Sequence, residues 1–145
     1  MKVLLDTSVL VASVVEMHEA HERAFAALDR VQRGRDEGVV AGHSLAEMYA
    51  ILTRAPAPLR HSPEQALLSI EENVLKHFKL LALSGSDYAA LIREAAMAGI
   101  QGGTIYDAVL LKTASNAKVD RLYTLNLKHF LTVAPSSLAP TLSVP

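Results

Sequence analysis

Three observations in the sequence predict an α/β domain built on a mostly parallel sheet with helices over both faces. Short runs of consecutive apolar residues recur at 3–5, 39–41, 80–83 and 122–123, the pattern of strands buried on both sides. Longer stretches with the apolar period of an amphipathic helix separate them, and such alternation is the mark of a parallel sheet. The chain has 145 residues, 50% of them hydrophobic. That length lets a single domain bury about two-thirds of its unfolded surface, which excludes disorder for most of it. Residues 1–145 are therefore read as one domain, without repeat or linker.

Val3, Leu4 and Leu5 form the first strand, which ends at Asp6. Lys2 followed by apolar residues imitates a signal peptide, but Asp6 interrupts the run after three residues. A charge inside such a segment is costly, so a buried strand ending in an acid is the better account. Residues 17–33 place Ala20, Ala24, Ala27, Leu28 and Val31 on one side of a helix, with Gly34 as its C-terminal stop. After the second strand, residues 44–54 bring Leu45, Met48, Tyr49 and Leu52 together and stop before Pro56. The next helix has the clearest start in the chain: Ser62 as N-cap, Pro63 at the first helical position and Gln65 completing a capping box. Its inner face reads as Leu67, Ile70, Val74 and Phe78. Helices over 86–97, ending at Gly99, and over 104–117 precede the fourth strand. Three of the six prolines lie in the last eleven residues, so the tail from about 135 reads as an extended segment or a short edge strand.

With 14 Lys and Arg against 15 Asp and Glu, a net charge of −1 and a pI near 6.6, the chain is not a polybasic binder that holds nucleic acid by a broad cationic surface. Any nucleic-acid contact must be local. The absence of cysteine excludes a disulfide scaffold, thiolate zinc sites and a Cys nucleophile, and accords with a cytoplasmic protein. No apolar stretch approaches the ~20 residues of a membrane span.

In open parallel sheets, ligands bind beyond the carboxyl ends of the strands, where the strand order reverses. Asp6 follows the first strand directly, and Glu47 lies one turn into the helix after the second. Asp107 lies one turn into the helix before the fourth strand, and reaches the same edge only if the chain first crosses over through 100–103, where Gly102 and Gly103 stand. Each acid also has a capping explanation: Asp6 ahead of a helix starting at Ser8, Ser44 with Glu47, and Thr104 with Asp107. Carboxylates held close together repel unless a cation lies between them. Oxygen ligands without His or Cys favour Mg²⁺ or Mn²⁺, a chemistry suited to phosphodiester hydrolysis. His18 and His21 have i, i+3 spacing but no third partner, and read as a solvated helix face.

The segments LLDTSVLVA from Leu4, SLAEMYAILTR from Ser44, GGTIYDAVLLKTA from Gly102 and LYTLNLKHF from Leu122 resemble, in order and spacing, the motifs of PIN-domain ribonucleases, in particular the VapC toxins of bacterial type II toxin–antitoxin pairs. The resemblance covers Lys2 to about Phe130. It implies a three-layer α/β/α sandwich in which the helix starting at Thr104 reaches the acidic pocket. It implies Mg²⁺- or Mn²⁺-dependent endonucleolytic cleavage of RNA, with Asp6 and Asp107 holding the metal, Glu47 ligating it or positioning water, and Asn126 completing the catalytic set. Many relatives carry Asp where this chain has Asn126, which adds no negative charge toward a second metal. Thr7, Ser8 and Thr104 lie beside these ligands, where they would orient water or phosphate. Lys128 and His129 follow closely and read equally well as contacts for RNA phosphates or as plain surface residues, and Arg54 and Arg60, flanking the loop APAPL, read the same way. The resemblance further implies a homodimer, favoured also by apolar helix faces over 67–78 and 88–97, and a VapB-type antitoxin offering a basic side chain to the pocket. The rivals are a PIN-like interaction module without activity and a metal-dependent phosphatase. The phosphatase would want a second Asp two positions after Asp6, where Ser8 stands.

Overall fold

A computed structural model describes residues 1–145. Five strands, β1 (Lys2–Leu5), β2 (Glu37–Ala41), β3 (Phe78–Leu81), β4 (Arg121–Tyr123) and β5 (Leu142–Ser143), form one sheet in the order β3-β2-β1-β4-β5. Every pairing is parallel, and Leu4 stands in register with Val39 on one side and Leu122 on the other. The helices are α1 (Thr7–Val14), α2 (His21–Gln32), α3 (Gly42–Arg54), α4 (Pro63–Ile70), α5 (Gly85–Met97), α6 (Thr104–Ala117) and α7 (Leu127–Val133).

Alternation along the strands divides the core into two layers. Val3, Leu5 and Val40 point to one face, where they pack with Leu10 of α1, Leu28 of α2, Met48 and Leu52 of α3 and Ile70 of α4. Leu4, Val39 and Leu122 point to the other, with Leu110 and Leu111 of α6 and Phe130 of α7. Leu91 of α5 reaches this side through Leu83, Ala108 and Val109. Because both faces are covered, the strands read as unbroken apolar runs, and the α/β/α expectation holds.

The sheet is tight enough to restrict composition at Gly38. A Cβ there would lie 2.4 Å from Val31 Cγ1 and 2.6 Å from Phe78 Cδ1, closer than atoms pack, so glycine is what lets α2 and β3 close over β2.

Several boundaries differ from the sequence reading. The third strand is residues 78–81, not 80–83: β3 is an edge strand whose Leu80 is half exposed, while Leu83 leaves the sheet to pack under α5. Phe78 belongs to this strand rather than to the preceding helix, which ends in a π-helical turn, Glu71–Leu75. The inward stripe of α4 is Ala66 and Ile70, continued by Val74, and Leu67 faces outward. The box Ser62–Gln65 caps α4 as read, and α6 spans the expected residues. Gly34 takes the left-handed conformation after α2, and its N–H donates to Val31 O. The tail adds β5 at the sheet edge beside β4. Helix α7 had no counterpart in the sequence reading; with seven residues and one buried side chain, Phe130, it is too short to show a period.

Candidate active site

Strand order reverses beside β1, whose neighbours β2 and β4 arrive from opposite directions in the chain, and the crevice opens at the carboxyl ends of β1 and β4. A cleft of about 180 Å³ lies there, lined by Asp6, Glu47, Asp107 and Asn126 together with Thr7 and Ser8. Thr104 is not among the lining residues; Gly103, Tyr106 and Leu110 are. Lys128 and His129 line an adjoining shallow pocket that shares Asn126.

The crossover required by Asp107 is made. Gly99 and Gly102 adopt positive φ, 71° and 59°, a conformation that glycine enters without steric cost, and α6 then starts at the cleft. It runs back to the opposite sheet edge, where Asp120 N donates to Lys2 O at 2.8 Å and β4 begins.

None of the three acids acts as a cap. Asp6 occupies the N-cap position of α1, but its side chain makes no capping bond. Helix α3 starts at Gly42, two residues before Ser44, and α6 starts with Gly103 as its N-cap; neither has a side-chain cap. The carboxylates are held by other donors. Asp6 Oδ2 accepts from Ser8 Oγ at 2.6 Å and from Thr124 Oγ1 at 2.8 Å. Those hydroxyls in turn accept from the backbone N–H groups of Leu125 and Asn126. Each hydroxyl is thereby oriented to donate to Asp6, and β4 is tied to the end of β1. Glu47 Oε2 accepts from Thr7 Oγ1 at 2.6 Å. Asp107 Oδ2 meets His129 Nδ1 at 2.5 Å.

Burial is the largest influence on Asp6 and pushes its carboxyl above the usual range; the Ser8 and Thr124 hydroxyls and the Thr7 backbone pull against it, and the charge of Asp107 adds to the rise. Asp107 is raised as well, first by burial, with His129 opposing and Glu47 adding. Two carboxyls thus lean toward their neutral forms partly because acids face one another, the electrostatic condition that a cation relieves. The donor set is all oxygen, which fits Mg²⁺ or Mn²⁺. As the side chains stand, no three of His, Cys, Asp or Glu converge on one point, since Glu47 is turned to Thr7 and Asp107 to His129. Asp6 and Asp107 are the pair suited to share an ion that keeps several waters.

Three features of the site went unread in the sequence. Thr124 lies inside the segment that pointed to Asn126, yet its buried hydroxyl serves Asp6. His129 contacts Asp107 rather than standing free for phosphate. His43, one turn before Glu47 with Nε2 3.9 Å from Glu47 Oε2, stacks on Tyr106. The i, i+4 spacing of His43 and Glu47 was the available signal.

The PIN domain family model matches residues 3–134. Among characterised proteins, the chain is 36% identical over 113 residues to ribonuclease VapC40 of Mycobacterium tuberculosis, covering 77% of this chain and 78% of that one. It is 33% identical over 116 residues to ribonuclease VapC27 of the same organism, covering 80% and 79%. Its fold superposes on the sarcin–ricin-loop-cleaving toxin VapC20 of M. tuberculosis with a TM-score of 0.69 at 11% identity, over 92% and 96% of the two chains. It superposes on VapBC2 of Rickettsia felis, solved bound to a DNA fragment from its promoter, at 0.68 and 18% identity, over 100% and 99%. The chain belongs to the PIN-domain family and, within it, to the VapC ribonuclease toxins.

Proposed function

We propose that this protein is a Mg²⁺- or Mn²⁺-dependent endoribonuclease that hydrolyses RNA phosphodiester bonds as the toxin of a toxin–antitoxin pair in the cytoplasm. The observation that carries this reading is the all-oxygen cleft at the strand-order reversal, where burial, together with a neighbouring acid in each case, raises both Asp6 and Asp107. A bound divalent ion would supply Lewis acidity and neutralise charge on the scissile phosphate. Asp6 and Asp107 would hold it. Glu47, kept at the cleft wall by Thr7, would accept a hydrogen bond from the attacking water, and the Asn126 side chain would complete the far wall. Ser8 and Thr124 keep Asp6 in place by donating to one of its oxygens. Incubation of the purified protein with total RNA in Mg²⁺, in Mn²⁺ and in chelator tests the reading. Discrete new ends in either metal, and none in chelator, are expected; intact RNA in both metals would overturn it.

The same reading carries a VapB-type antitoxin and a homodimer. Six large apolar side chains, Leu67, Leu68, Leu75, Tyr88, Ile92 and Met97, stand exposed on α4, the π-helical turn and α5, more than an isolated small domain needs. No helix is long and apolar enough to cross a membrane. Sedimentation equilibrium is expected to give a two-chain mass that Ile92→Glu reduces to one; a single-chain mass for the unaltered protein at micromolar concentration would rule the dimer out.

A further inference from the structure

Tyr106 is not needed to hold any of the acids, yet it lines the cleft one residue before Asp107. The residue is 51% exposed, so its ring is open to a ligand in the cleft. His43 of α3 lies against it, ring centroids 4.8 Å apart and planes within 15°. His43 is itself seated: its Nε2 is buried, has no hydrogen-bond partner and lies 3.9 Å from Glu47 Oε2, so packing and the neighbouring acid hold the imidazole behind Tyr106. One ring of α3 thus backs a flat, half-open aromatic ring of α6 beside a carboxylate cleft. The tyrosine has only two rotatable bonds, and the stack restricts them, so little entropy remains to be lost when a second flat group arrives.

We propose that Tyr106, backed by His43, is a stacking platform that holds a nucleobase adjoining the scissile phosphate. The inference rests on the nuclease reading and names a residue of that site that positions the substrate. Stacking on an aromatic face requires a base freed from its own stack, which paired RNA does not offer. The contact is tolerant of base identity because every base has a π-face. A net charge of −1 on the chain leaves little general attraction for phosphate, so a stacked base supplies affinity where a cationic surface does not.

The probe is an octameric oligoribonucleotide carrying one 2-aminopurine, whose fluorescence is quenched on stacking, titrated into the Asp6→Asn protein with Mg²⁺ so that it is not cut. Quenching is expected with the single strand and not with the same strand in a duplex. Tyr106→Leu, added to Asp6→Asn, is expected to weaken binding about 10-fold and to remove the quench, whereas Tyr106→Phe keeps it. Phe25→Leu serves as the control, since Phe25 is a second exposed ring stacked on a histidine, His21, but lies outside the cleft; it leaves the quench unchanged. In the active protein, Tyr106→Leu raises KM for a cleavable single strand more than it lowers kcat. No quench with the tyrosine present, equal quench by the duplex, or an unaltered KM in Tyr106→Leu would overturn the platform while leaving the nuclease reading standing. Absence of any cleavage by the unaltered protein removes the nuclease reading, and the quench titration still decides whether the ring receives a base.

Discussion

Asp6→Asn is expected to lower RNA cleavage by roughly 10³-fold, about 4 kcal/mol of transition-state stabilisation, in a protein that remains folded. The variant keeps the size and shape of the side chain, and its amide oxygen still accepts from Ser8 and Thr124, whose hydroxyls are oriented by backbone N–H groups. What it loses is the charge. Asp107→Asn is expected to fail in the same way. Full activity in either folded variant would end the assignment of that acid.

Stability supplies a second, independent readout of the same substitution. The folded-state carboxyl of Asp6 lies above its usual 3.8, chiefly through burial. A raised acid binds more protons folded than unfolded, so it costs stability at neutral pH, and the cost is withdrawn as pH falls through the raised value. In chelator at pH 7, Asp6→Asn should therefore melt at or above the temperature of the unaltered protein. The difference should shrink on acidification toward pH 4, and added Mg²⁺ should raise the melting temperature of the unaltered protein only. An Asp6→Asn protein that melts well below its parent in chelator would contradict the desolvation account.

The strands that lead to Asp6 and to the helix of Glu47 were legible because both faces of β1 and β2 are buried, which leaves continuous apolar letters with a sharp end. Asp107 was legible as an acid but not as a neighbour, since its approach depends on Gly99 and Gly102 taking positive φ, and glycine in a sequence permits that turn without requiring it. The capping boxes show the limit from the other side. Ser62 with Gln65 is a cap, whereas Ser44 with Glu47 has the same spacing and is not, because α3 starts two residues earlier directly off β2. Letters three apart are local, and the choice between them was made by where the strand ended. Edge strand β3 misled for a related reason: an edge position needs no unbroken apolar run, so the run at 80–83 marked the exit from the sheet instead. The Thr124 to Asp6 bond joins residues 118 apart in the chain and follows only from β4 lying beside β1, a fact of strand order that no local pattern holds.

Helix α7 ties the far wall of the cleft to the core through one ring, and its loss has the largest expected effect on stability. Phe130 is the only buried residue of the helix and is 1% exposed, packed with Leu4 of β1, Leu110 of α6, Leu122 of β4 and Leu142 of β5. Asn126 is the N-cap of this helix, and its backbone oxygen accepts from His129 N and Phe130 N. Phe130→Ala would leave a cavity where four elements meet, at about 3–5 kcal/mol, against a total of about 5–15 kcal/mol for a domain of ordinary stability. The expected fall in Tm is about 10 °C, with Phe130→Leu falling less because most of the volume stays. Function should suffer beyond the unfolded fraction. With its anchor gone, α7 lifts Asn126 and His129 away while β1 still holds Asp6, so cleavage by the folded population drops, though by less than in Asp6→Asn. Hydrogen exchange locates the change: the Ala134 amide, bonded to Phe130 O, should exchange faster in Phe130→Ala by a larger factor than the amides of β1. Equal acceleration across both would mean that the ring stabilises the core as a whole and does not seat this wall of the cleft.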